Sequence, residues 1–256
     1  MEKLFRSYTI LLLILLLTIT GIISLQTREI NLREKDLSQE ELKRLEDTSR
    51  VQLELIKKIP KLGFNNLVAD WLYLQFIQYF GDTQARNHTG YTLNPLYFQE
   101  IVDNDPRFTG AYFTLEPATT LFSGMPQVSV TLMNQGLAKM SPQQDSTYQV
   151  WFYKGITELL FIDSPSLAKK SFEKAAQWSE YHHTSNSFNT GIRAREIADF
   201  LATNPDSTKA RASAWLSIYV YTPEKVVREF AQQQIEALGA KIIPTPTGFT
   251  VKFEDK

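Results

Sequence analysis

The 256-residue chain has no cysteine. That excludes disulfides, a cysteine nucleophile and thiolate metal sites, and it is compatible with an oxidising compartment. Histidine is scarce, with three in all, and two of them, His182 and His183, are neighbours. Adjacent side chains on a helix diverge, so this pair lacks the i, i+4 geometry of a helical metal site. Net charge is also nearly absent, at −1, which gives no support for a nucleic-acid partner. There is no GxxxxGK[ST], no GxGxxG after a strand and no GxSxG, so the common phosphate cradles and hydrolase nucleophiles are missing. Arg193, Arg195 and Glu196 read as a solvated helix face, and Asp70 is a lone carboxylate. The chain is read as a non-enzyme with no cofactor and no metal.

Long apolar runs are rare too, with one exception. Tyr8–Leu25 carries no charge and, as a helix, is long enough for a hydrocarbon core of about 30 Å. It follows a short basic N-terminus at 1–7, so a cleaved signal peptide is the rival reading. The run is longer than an ordinary signal core and lacks a small-x-small cleavage site. The expectation is an uncleaved transmembrane helix at 8–25. The chain then reads as a single-pass protein of a bacterial-type inner or thylakoid membrane, with its soluble part on the non-cytoplasmic face.

The remainder is punctuated for helices. Residues 26–60 read as a charged stalk and a helix from Gln39 to Lys58, opened by the capping box Ser38–Glu41. Its imperfect stripe of Leu42, Leu45, Val51, Leu55 and Ile56 suggests a solvated spacer. Phe64–Phe80 is apolar on nearly every face and stops at Gly81, as a helix buried on more than one side, or lining a groove, would. Residues 82–93 read as a polar loop. In 94–106, NPLYFQEIVDNDP, Asn94 is a good N-cap, Pro95 suits the first helical position, and Pro106 closes about three turns. Helices follow at Gly110–Phe122, Val128–Met140, Tyr148–Ile162, Ser166–Trp178, Thr190–Thr203, Ser207–Tyr221 and Pro223–Leu238. The tail, 241–256, reads as extended. The fold class is all-α.

Helix pairs recur at about 34–38 residues, the range of helix-turn-helix solenoids. Ala168-x3-Phe172-x2-Ala175 matches the second-helix core of a tetratricopeptide repeat, and Trp151 with Gly155 stands near its first-helix tryptophan and glycine. Phe98, Ile101 and Pro106 fall on its aromatic, small and closing-proline positions. Leu137 and Pro142 fit a further unit in which Glu116 replaces glycine. Trp71-x2-Leu74 and the pair around Trp215, Val226 and Phe230 are looser. The stretch 61–240 therefore resembles a tetratricopeptide-like α-solenoid.

That resemblance implies a concave groove lined by first-helix residues, which here would be Leu72, Phe76, Tyr79, Gln149, Phe152 and Ile156. The expected function is a membrane-anchored scaffold or assembly factor that recognises a partner protein. Two rivals stand beside it. One is a structural accessory subunit of a membrane complex. The other is a small-ligand receptor or enzyme, with Asp70, Arg86 and His88 as candidates near 82–93.

Overall fold

The computed structural model describes residues 13–24, 26–27, 37–203, 206–222, 225–246 and 248–253, and the chain is mostly helical. It divides into two units, one ending at Thr48 and one beginning at Ser49.

In the first unit residues 13–24 and 26–27 are helical, with exposed apolar side chains. Residues 8–12 and Leu25 of the expected span lie outside the described residues, as do 1–7 and most of the charged segment after it. Among the described residues no helix is long and apolar enough to cross a membrane. The single-pass assignment through 8–25, and the inner or thylakoid placement built on it, is corrected accordingly.

Helix α1, Gln39–Lys58, opens as its sequence specifies. The Ser38 amide donates to Glu41 Oε2 at 2.9 Å and the Glu41 amide to Ser38 Oγ at 3.3 Å, which satisfies two otherwise orphaned donors. Its later turns belong to the second unit and differ from the expected spacer. Leu53 is buried in a core and Ile56 packs against it, whereas Val51 and Leu55 face solvent.

The second unit continues with α2 (Asn65–Gly81), α3 (Thr83–Thr89), α4 (Asn94–Asn104) and α5 (Thr109–Pro117). The polar segment 82–93 thus holds a short helix, capped by Asp82, whose carboxylate accepts from the Ala85 amide at 3.0 Å. The bounds of α4 are those its prolines mark, but Asn94 does not cap it. Its buried side chain instead donates to the Ala118 carbonyl at 2.8 Å. After α5 the chain widens into a π-helical turn, Ala118–Phe122. Pro117 lacks the amide that would continue the α ladder, and a widened turn is one outcome of that loss.

Helices α6 (Pro126–Leu137), α7 (Thr147–Leu160), α8 (Pro165–Ser179), α9 (Ser185–Thr203), α10 (Thr208–Tyr221) and α11 (Lys225–Ala237) follow. Gly155 and Gly136 are among the glycines that sit where helices nearly touch. A Cβ on Gly155 would lie 3.0 Å from the Phe172 ring, so α7 and α8 approach with that aromatic filling the gap. Gly136 leaves the same kind of room for Tyr112, whose hydroxyl donates to the Pro106 carbonyl at 2.9 Å.

Side chains collect into two cores. The first draws on α1, α2 and α4–α6 and includes Phe76, Phe98, Ile101, Tyr112 and Leu132. The second draws on α7–α11 and includes Phe172, Ala175, Ala194, Trp215 and Ile235. Helix α7 serves both, since Val150 belongs to the first, Leu159 to the second, and Trp151 packs against each.

The tail is extended as two paired strands over its described residues. β1 (Ala240–Thr245) and β2 (Gly248–Phe253) form an antiparallel hairpin with Ala240 opposite Phe253. Ala240 is buried in the second core, and Ile242, Val251 and Phe253 pack against it. The tail expected to be extended at 241–256 thus holds two paired strands: alternate apolar residues on them share one face, so pairing buries them together.

Candidate protein-binding surface

Helix α2 has no polar face, and the fold divides its apolar residues into two sets. Ala69, Leu72, Phe76 and Tyr79 point inward. On the other side Leu67, Trp71, Leu74 and Ile77 are 64, 46, 60 and 44 % exposed. Their spacing of three and four residues makes one stripe along the helix. The connection from α1 also carries exposed apolar residues, Ile59, Leu62 and Phe64. Leu62 has a φ of 51°, a left-handed conformation that costs a branched residue energy, and its side chain is held in water at 84 % exposure. Asp70 and Gln78 are exposed on the same side and interrupt the run; scattered surface apolar residues are ordinary, and a grouping of this kind makes the outward side of α2 a candidate contact surface.

The six residues expected to line a groove separate into two groups. Leu72 and Phe76 are fully buried and Tyr79 nearly so, with Phe76 and Phe98 ring centroids 4.5 Å apart. They form core and offer no surface. Gln149, Phe152 and Ile156 on α7 are half-buried. Phe152 meets Phe172 edge-on at 5.4 Å, and the Arg193 guanidinium lies 5.7 Å from its ring centre.

Helix α7 also carries a polar network that the sequence reading missed. The Lys154 ammonium donates to Glu158 Oε1 at 2.6 Å and to Ser171 Oγ at 2.9 Å, and Ser171 donates to Glu158 Oε2 at 2.5 Å. Both charged side chains are buried. One turn of signal was available, because Lys154 and Glu158 stand at i, i+4 on an evident helix. Nearby, Thr157 donates to Glu116 Oε1 at 3.1 Å across from α5. Burial pushes the Glu116 carboxyl up to about 7, with the Thr157 bond acting in the opposite direction. Glu116 is the residue that stands at the glycine position of the repeat pattern.

The remaining candidates do not form a buried catalytic cluster. Asp70 and His88 are exposed. Arg86 is buried, its guanidinium 3.6 Å from the centre of the Tyr79 ring and donating to the Gly90 carbonyl at 2.7 Å. The ring contact ties α3 to α2, and the bond to Gly90 closes the C-terminal end of α3. His182 Nε2 lies 2.9 Å from the Pro142 carbonyl oxygen. No group of three or more metal-ligating side chains occurs among the described residues.

Comparison with known proteins adds no relative: no family model, no curated protein and no solved structure matches this chain.

Proposed function

We propose that this chain is a protein-binding helical scaffold or assembly factor of the tetratricopeptide-like α-solenoid class. The observation that carries the reading is the grouping of exposed apolar residues between Ile59 and Ile77, above all the stripe Leu67, Trp71, Leu74 and Ile77 on α2. Covering such side chains gains roughly 25 cal/mol per Å² of apolar area, and the rigid core behind them keeps the ordering cost low. The solenoid part of the reading is supported by the Gly155–Phe172 approach and by the buried small residues Ala168 and Ala175 on α8. Recognition therefore lies on the outward side of α2, away from Leu72, Phe76 and Tyr79.

The test is a triple variant, Trp71→Ser, Leu74→Ser and Ile77→Ser, compared with the parent in affinity purification followed by quantitative mass spectrometry. The expected outcome is a discrete partner set lost from the variant while its circular dichroism and melting temperature stay unchanged. Recovery of the same partners by both proteins would remove the assignment.

A further inference from the structure

A second surface lies between α9 and α10. Unlike α8 and α9, these consecutive helices do not run against each other along their lengths. An open trough of about 460 Å³ remains between them. Leu159 of α7 lines it together with Ile197 and Phe200 on α9 and Ala214 on α10. Phe200 is 41 % exposed. Each wall carries one charge, Glu196 on α9 and Lys209 on α10. Glu196 has no ion-pair partner among the described residues. Lys209 also acts on the exposed Asp206 beside it.

We infer that this trough is a docking site for an amphipathic helix of a partner protein, one that lays two apolar side chains at i, i+4 between α9 and α10, directs a basic residue at Glu196 and directs an acidic residue at Lys209. The volume is in the range of about 300–1,000 Å³ that takes a sizeable apolar group. The walls decide between peptide conformations. Both are helices whose backbone bonds are internal, so they offer an extended strand no ladder to join, whereas a helix brings its own backbone bonds satisfied. The spacing of α9 agrees: Glu196 and Phe200 stand at i, i+4 and both line the trough, and such rows are the ridges that helices interdigitate. The opposite charges on the two walls then fix direction, because reversing the occupant puts like charges together. This site is separate from the α2 surface and goes beyond the proposed function.

The test uses the full chain and a fluorescein-labelled 18-residue peptide read by fluorescence anisotropy. The peptide is helix-forming, with leucines at i, i+4 flanked by arginine on one side and glutamate on the other. A peptide of the same composition in scrambled order is the control. Saturable binding at least tenfold tighter than the scrambled peptide is expected. Ala214→Trp, which fills the trough, should abolish it. The surface change Glu196→Lys, which poses little risk to folding, should weaken it at least tenfold, and exchanging the peptide arginine for glutamate should restore it. Equal affinity for the scrambled peptide, or no effect of Glu196→Lys, would overturn the inference. So would concentration-dependent self-association of the protein that Glu196→Lys abolishes, since the occupant would then be a second copy. Loss of partners in the α2 triple variant would leave all of these outcomes untouched.

Discussion

The two cores of the second unit are built from different materials. The first holds Phe76, Tyr79, Tyr97, Phe98 and Tyr112 among its buried members. In the second, eight of the fourteen described buried residues are alanine, so helices there are held by close backbone approach around a few large residues, Phe172 and Trp215 chief among them. A core of large rings is vulnerable to deletion of atoms, and a core of alanines to their addition. The strongest test of that contrast is Phe76→Ala. Removing a fully buried ring in contact with Tyr73, Phe80, Tyr97 and Phe98 should cost about 3–5 kcal/mol, read as a lower urea midpoint. A loss below about 1 kcal/mol, the level of an ordinary substitution, would show that the first core collapses around the cavity and that the contrast is false.

Between the cores α7 is polar where both neighbours are apolar. Lys154→Met leaves Glu158 charged, buried and without its cation, and should cost about 3–5 kcal/mol. The double variant Lys154→Met with Glu158→Leu should recover most of that loss, because replacing a buried ion pair by apolar groups is often neutral. If the double variant is as unstable as the single one, the network does more than satisfy its own charges.

Glu116 gives the seam a pH dependence. Its carboxyl is raised from 4.5 to about 7 in the fold, so the folded chain keeps a proton that the unfolded chain releases. The stability this contributes is complete below the unfolded value and declines as pH rises towards the folded one. At about 1.4 kcal/mol per unit, about 3 kcal/mol should disappear between pH 4.5 and 7 and then level off. Glu116→Gln should flatten that segment of the profile. Denaturation midpoints at closely spaced pH values decide it, and an unchanged slope in the variant would assign the effect elsewhere.

What the sequence carried was mostly punctuation. Ser38–Glu41 and the prolines at 95 and 106 placed the ends of α1 and α4, because caps and proline act within a few residues of themselves. Partnership across long separations left no such mark. Glu116 and Thr157 are 41 positions apart, and nothing local to either announces the bond. Helix α2 poses a different difficulty: with apolar residues all round, its period does not say which face turns inward, and Leu72, Phe76 and Tyr79, which the repeat pattern would place in a groove, are buried in the core. In the tail the extended character is legible, but the pairing of β1 with β2 is not, since it joins residues on either side of the turn.

In the second core the smaller effect should come from addition. Ala175→Leu inserts volume into a position with no exposure, where α8 carries the close approach to α7, and overpacking of this kind costs about 1–3 kcal/mol. A neutral result would mean that the alanines leave unused space. The second core would then be loosely filled rather than tightly set.

The smallest effect sharpens the contrast most, because it compares two leucines on one helix. Leu72 is fully buried, and Leu74, two residues on, is 60 % exposed. Leu72→Ala should cost about 2–5 kcal/mol, whereas Leu74→Ser should change stability by no more than about 0.5 kcal/mol, both measured by urea denaturation. A leucine that contributes nothing to the fold is free to serve a partner, so retained stability with lost partner recovery in Leu74→Ser separates binding from folding at a single position. If Leu74→Ser instead destabilises the chain as Leu72→Ala does, the outward stripe of α2 is structural, and the surface on which the proposed function rests disappears with it.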